Sequence, residues 1–293
     1  MRVGMGTIQD MARPFVNKTG IGRAMRHYFE PAIKRALGMR PAKLRTPRSW
    51  HESISDAFVW RCDEGFMTRF DLMNLSSFLV PQRAGRERVL LILFSQDGSE
   101  IMRRTYNLEP FSIHPIRVDE LLSQGDEEYG TFCVFHERLG EGKTWDFETC
   151  ILERSYTSYR NQDRCDLWSY VHGCCNTYVL SYDFTGERTS HLCQRAIEKQ
   201  NFRPQLRFDD CDRFEVFISN PLRSVEEFVL RVYDQRGQLS EETPHRLSSL
   251  ACKKVRVDSS GMDKARIELE CHVYMGRPLL FKYYQSHFDV LHS

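Results

Sequence analysis

Residues 88–98 read RVLLILFSQDG, and residues 227–237 read EFVLRVYDQRG. Each is an apolar run closed by a polar triplet ending in glycine, Gln96-Asp97-Gly98 and Gln235-Arg236-Gly237, and the two glycines stand 139 residues apart. Apolar, β-branched and aromatic residues at this density predict a strand, and the glycine beyond it predicts the tight turn of a hairpin, where positive φ is tolerated. At the same offset Arg117-Val118-Asp119 meets Arg256-Val257-Asp258. Upstream, Arg69-Phe70-Asp71-Leu72 resembles Arg213-Phe214-Glu215-Val216 at an offset of 144. Downstream, Tyr129 to His136 resembles Ile267 to Tyr274, which sets Cys133 near Cys271. Two triplets at one offset, with strand patterns in the same order, predict a duplicated, hairpin-rich unit.

The rest of the chain beyond Trp50 keeps this vocabulary. Strands are predicted at 57–60, 66–74, 88–94, 113–118 and 131–136, and again at 213–219, 228–233, 253–257, 265–274 and 279–284. Turn signals separate the first set at 81–86, 96–98 and 124–130. Residues 167–183 read as a hairpin and 190–200 as a short helix. The expected fold is mostly β: two related antiparallel β-sandwich-like units behind a basic N-terminal helical arm. The expected division is 1–50 for the arm and linker, 51–150 for the first unit, and 151–293 for the second unit with an inserted segment.

Charge separates the arm from the body. The net charge is +1, but residues 1–48 carry eleven Lys and Arg against two acids, a net of +9, which leaves −8 on the remainder. Within 20–38, Ile21, Ala24, Met25, Tyr28, Phe29, Ala32, Ile33 and Ala36 fall on one side of a helix, and Arg23, Arg26 and Lys34 on the other. Arg35 breaks the pattern, and Pro31 predicts a kink. This arm, with Arg23, Arg26, Lys34 and Arg35, is expected to meet a protein partner or an anionic membrane surface. Nucleic acid is disfavoured, because the body is acidic and no reader motif is present. The ten cysteines without a signal peptide point to free thiols in a reducing cytoplasm.

No G-x-S-x-G, P-loop, G-x-G-x-x-G or H-E-x-x-H occurs. The most unusual string is Ser169-Tyr170-Val171-His172-Gly173-Cys174-Cys175-Asn176. His172 and Cys174 are soft ligands and nucleophiles, so zinc is the one cofactor these residue types would admit; the bland alternative is a turn flanked by buried thiols. No Cys-x-x-Cys is present, and Cys133-x-x-His136, His191-x-Cys193 and Cys271-His272 are too scattered to define a site, so the expectation is no cofactor and no metal. Trp60, Trp145, Trp168, Tyr156, Tyr159 and Tyr170 are candidate aromatic platforms, though most strand aromatics belong to a core. Of these, Trp60, Trp168 and Tyr170 join His172 and Cys174 as candidate binding residues.

Phe58-Val59-Trp60-Arg61, Phe70 to Ser76, Tyr129-Gly130-Thr131-Phe132 and Tyr170-Val171-His172-Gly173 jointly resemble uncharacterised bacterial β-rich proteins associated with surface-polysaccharide gene clusters. The resemblance covers roughly residues 50–293, brings no site residues with it, and implies glycan-related work in the cytoplasm. The expected function is therefore a non-enzymatic binding or assembly protein, cytoplasmic and peripheral at the inner membrane face, with a glycan ligand or homo-oligomer among its partners. Two alternatives stand beside it: a sugar or nucleotide-sugar enzyme with a metal or thiol site near His172, and a structural subunit of a larger complex.

Overall fold

The first stretch of the body crosses between two sheets at almost every turn. Strands β1 (Glu52–Arg61), β2 (Phe66–Met73), β3 (Glu87–Phe94), β4 (Glu100–Leu108), β5 (Ile113–Arg117), β6 (Tyr129–Arg138), β8 (Tyr156–Asn161) and β9 (Cys165–His172) form the orders β1-β6-β3-β4 and β5-β2-β8-β9. A short helix, α1 (Leu75–Leu79), follows β2, and a two-residue strand, β7 (Leu152–Glu153), lies parallel to β1. Strands β10 (Cys174–Asp183) and β11 (Gly186–His191) extend the first sheet beyond β1. The chain then repeats itself. Strands β12 (Arg195–Phe202), β13 (Arg213–Ser219), β14 (Glu226–Asp234), β15 (Leu239–Leu247), β16 (Cys252–Asp258), β17 (Lys264–Val273), β18 (Leu279–Tyr283) and β19 (Phe288–His292) form the orders β12-β17-β14-β15 and β16-β13-β18-β19. These orders match the first two strand for strand.

This computed structural model describes residues 52–79, 81–122, 128–138, 152–153, 155–183, 186–191, 195–204, 211–222, 224–258, 264–273 and 276–292. The arm predicted over 20–38, with Arg23, Arg26, Lys34 and Arg35, lies outside them, as do Trp145 and the Cys174 and Cys193 side chains. Residues 44–293 form one compact unit, and none of the described helices is long and apolar enough to cross a membrane.

The repeat extends to register. In β3–β4, Leu93 faces Met102 and the ladder slips so that Phe94 faces Glu100; in β14–β15, Val232 faces Glu241 and Tyr233 faces Leu239 across the same slip. Both turns close on the predicted glycines, Gly98 at φ +90° and Gly237 at φ +77°. Each copy closes its two sheets over one apolar core. Phe58, Phe70, Leu72, Val89, Leu91, Ile116, Phe132 and Val134 belong to the first, and Phe214, Val216, Phe228, Leu230, Val257, Ile267, Leu269 and Leu280 to the second. Phe70 and Leu72 occupy the places of Phe214 and Val216, as the 144-residue offset anticipates.

Several expectations need correction. In β6 and β17 the ladder matches Phe132 with Ile267, since these face Leu93 and Val232. The true offset is thus 135, three less than the sequence match, and an odd slip exchanges the faces of a strand. Cys133 therefore corresponds to Glu268, and Cys271 to His136. Residues 156–172, placed by sequence in the second unit, pair with β2 of the first, so the change of copy comes after His172 and not at 150. Residues 167–183 are not a hairpin, because β9 and β10 lie in different sheets. Gly173 makes that crossing: an added Cβ would lie 2.8 Å from both Asp56 Cβ and Phe58 Cε1. The helix expected over 190–200 is replaced by β11 and β12, where pairing of β12 with β17 overrides the local pattern.

A buried polar cluster ties the copies together. Arg61, fully buried, donates from Nε and Nη2 to the two Asp63 carboxylate oxygens at 2.7 and 2.8 Å and from Nη1 to Glu215 Oε2 at 2.8 Å. Nη1 also donates to the Tyr283 hydroxyl at 2.9 Å, and that hydroxyl donates to Glu215. Lys254 pairs with Asp63 from the other side. The guanidinium lies 3.6 Å from the Phe66 ring centre and 4.6 Å from that of Phe281. Around it Val59, Phe66, Tyr129, Tyr159 and Val171 of the first copy pack with Phe217, Leu279, Phe281, Tyr283, Phe288 and Val290 of the second. Burial pushes the Asp63 carboxyl up, but Arg61 and then Lys254 outweigh it and hold the group below the usual carboxylate range.

Candidate docking face

Alternation along β9 decides which of its residues meet solvent. Val171 points inward and is buried, so Trp168, Tyr170 and His172 share the opposite face. Pairing carries that face across the sheet. His172 faces Tyr156, Tyr170 faces Ser158, Ser158 faces Arg69, and Arg69 faces Arg117. The outer surface of β5-β2-β8-β9 is thus lined by Arg117, Arg69, Asp71, Tyr156, Trp168 and Tyr170. Tyr156 is 52% exposed and Tyr170 48%.

The charges on this face are held in place. Arg69 bonds Asp71 through Nε and Nη2, each at 2.7 Å, and its guanidinium lies 5.9 Å from the Trp168 ring centre. Arg117 pairs with Asp119 at 2.5 Å, and the Asp119 hydrogen bond raises the Arg117 guanidinium above its ordinary value. Arg160 pairs with Asp166 at the rim. Ser158 is buried beneath and donates to the Arg69 carbonyl at 3.2 Å. At the β5 end three large apolar side chains stand out together. Ile113 is 56% exposed, and Phe111 and Phe78 meet edge to face with ring centres 5.8 Å apart. Phe111 sits at φ +59°, a left-handed conformation that is rare for a bulky residue. Aromatic rings held beside guanidinium groups, with an apolar edge, are the residue types enriched where proteins meet partners.

The residues singled out in the sequence divide between this face and elsewhere. Trp168 and Tyr170 lie on it. His172 lies at its margin, with ring centres 4.9 Å from Tyr156 and 5.1 Å from His292. Cys174 is carried into another sheet, where its backbone pairs with Ala57, so the chain separates it from His172. Trp60 is fully buried, its indole N–H donating to the Phe94 carbonyl at 3.0 Å. Tyr159 is likewise buried, its hydroxyl donating to the Val59 carbonyl at 2.7 Å. Cys133 and His136 point to opposite faces of β6: the thiol packs with Ile92 and Phe135, and the imidazole Nδ1 lies 3.0 Å from Glu87 Oε2. Cys271 is buried in the second core, and His272 Nδ1 lies 3.2 Å from the Ala196 carbonyl. Among the described residues, no three His, Cys, Asp or Glu side chains gather where they could hold a metal ion. Arg69 and Asp71 were legible only as part of the repeat; their place on the odd positions of a strand with buried even positions is the signal that marks them as outward.

No protein-family model matches the chain, and no curated protein matches it.

Proposed function

We propose that the protein is a non-enzymatic binding and assembly protein that engages a macromolecular partner through the outer face of β5-β2-β8-β9. One observation carries the reading. The same face in the second copy is buried against the first copy, whereas in the first copy it stands open with Trp168, Tyr170, Tyr156 and Arg69 upon it. Surface-glycan biosynthesis is the setting the sequence resemblance favours, with residues 20–38 anchoring the protein to a partner or an anionic membrane surface. A photo-crosslinking residue placed at Tyr156 in the full-length protein, in extracts of its native cell, should yield an adduct of discrete mass. The same residue at Leu239, equally exposed on β15, should not. Equal or absent adducts at both positions would remove the docking reading.

A second reading is favoured by the three aromatic rings themselves. Exposed Trp and Tyr rings stack on sugar rings, so a carbohydrate chain could occupy the same face. Affinity electrophoresis against a panel of polysaccharides tests it: retardation lost in Trp168→Ala supports a glycan ligand, and unaltered migration through every gel excludes the panel.

A further inference from the structure

The charges on the open face of the first copy cancel. Arg69 is matched by Asp71, Arg117 by Asp119 and Glu120, and Arg160 by Asp166. A charged ligand meets no unmatched counter-charge there and has to break a pair to gain one. What the face offers instead is ring surface and hydrogen-bonding capacity. Tyr156 and Tyr170 are half exposed, and neither hydroxyl has a hydrogen-bond partner among the described residues. Trp168, Tyr170 and His172 succeed one another at every second position of β9, about 14 Å from first to last, so the row suits an elongated ligand. Both contacts of Arg69 with its acid fall on Asp71 Oδ1, and both side chains reach solvent. Asp71 Oδ2 and Arg69 Nη1 have no partner among the described residues. The pair thus keeps one acceptor and one donor open in a group of no net charge.

We propose that this face binds a neutral, hydroxyl-rich glycan chain, stacked along β9 on Trp168 and Tyr170 and held through its hydroxyls by the Arg69–Asp71 pair. The inference rests on the carbohydrate reading above and names the class of chain, uncharged rather than acidic. A hydroxyl both donates and accepts, so the hydroxyls of a sugar serve Asp71 Oδ2 and Arg69 Nη1 without bringing charge to the face. The apolar side of a sugar ring covers aromatic carbon, which takes both surfaces out of water. A carboxylate or sulfate on the chain would be set against Asp71, Asp119, Glu120 and Asp166 and gain no free cation in return. Asp71 therefore has two tasks: it accepts from the ligand, and it keeps Arg69 from drawing acidic chains.

Affinity electrophoresis of the purified full-length protein tests this, through gels holding dextran, galactomannan or xyloglucan and through gels holding alginate or polygalacturonate. At least one neutral polymer should retard the parent, to the same extent in low and high salt, and the acidic ones should not. Asp71→Ala leaves Arg69 unmatched on the surface. It should weaken retardation by the neutral polymer about tenfold and bring salt-sensitive retardation by alginate, a change of preference that loss of fold would not produce. Tyr170→Ala should weaken neutral binding without that gain. Unaltered migration in every neutral gel, salt-sensitive retardation of the parent by an acidic polymer, or an Asp71→Ala variant that keeps the parent's preference would overturn the proposal. The crosslink at Tyr156 separates the two levels. A protein adduct there, without retardation by any neutral polymer, removes the neutral glycan and leaves the docking reading, whereas neither adduct nor retardation removes both.

Discussion

Arg61 shows what a single side chain does when it is buried with its counter-charges. Its guanidinium satisfies Asp63, Glu215 and Tyr283 at once. Arg61→Leu keeps comparable bulk against Phe66 and Phe281 but takes the buried cation from between two carboxylates, leaving Asp63 to Lys254 and Glu215 to Tyr283, and should lower unfolding free energy in urea by about 3–5 kcal/mol. The same network sets an acid limit. Asp63 is held below its ordinary range when folded, so its contribution is fully present above about pH 4, the unfolded carboxylate value, and fades as pH falls through the lower folded value. Stability measured from pH 7 to 3 should therefore fall less steeply in Arg61→Leu than in the parent; parallel curves would detach the network from acid sensitivity. The two hairpin glycines give a cleaner contrast. Both have positive φ, but a Cβ at Gly98 would overlap the Ser249 carbonyl and lie 2.8 Å from Ala251 N, whereas one at Gly237 would meet nothing within 4 Å. Gly237→Ala should cost about 1–2 kcal/mol for the left-handed backbone alone, and Gly98→Ala at least about 3 kcal/mol, because backbone at the junction of the copies must also move. Equal losses in chemical denaturation would refute the difference.

Corresponding strands in the two copies serve different environments. On the outer face of β1-β6-β3-β4, Leu90, Ile92, Phe94, Cys133 and Phe135 are buried. The equivalent places on β12-β17-β14-β15 hold Val229, Arg231, Tyr233, Glu268 and Glu270, and there Arg231 bonds Glu242 and Glu270 while Lys199 bonds Glu270. Ladder geometry is the same in both, so the backbone pattern survives exchange of an apolar face for a charged one. Ile92→Arg would bury an unpaired cation and should remove more than about 4 kcal/mol of stability. Arg231→Ile gives up surface-type pairs and should stay within about 1 kcal/mol. Thermal unfolding of the two variants decides the matter. The edge strands β4 and β15 were missed in sequence for a related reason: in EIMRRTYNL the apolar row Met102, Tyr106 and Leu108 is broken by Arg104, and in LSEETPHRL charged and polar residues separate Leu239 from Leu247, so the period-two signal is weak, and pairing with β3 and β14 makes them strands.

At the scale of the whole body, the copies share side chains and should share a transition. Phe281 of the second copy packs on Phe66 and Tyr159 of the first, with ring centres 5.5 and 4.9 Å apart. Calorimetry should give one peak whose van 't Hoff and calorimetric enthalpies agree. Phe281→Ala, which opens a cavity in the shared cluster at a cost of about 3–5 kcal/mol, should broaden or split it. A parent protein with two separate peaks would mean that the copies fold independently.

The sequence by itself determined the class of structure and its duplication. Strand periodicity and positive-φ glycines are local properties, and local properties are copied intact when a unit is copied. It also marked Trp168 and Tyr170 as aromatic platforms and His172 as a soft ligand by residue type alone; that the three share a face follows from alternation along β9. Only the tertiary structure decided that Trp60 is core and Tyr170 is surface, that His172 and Cys174 part into different sheets, and that one copy's outer face is covered while the other's stands open. Those outcomes depend on which strands pair and which sheets pack. Such contacts join residues far apart in the chain, from Trp60 and Phe94 to Arg61 and Tyr283, and nothing in the near neighbourhood of either partner encodes them.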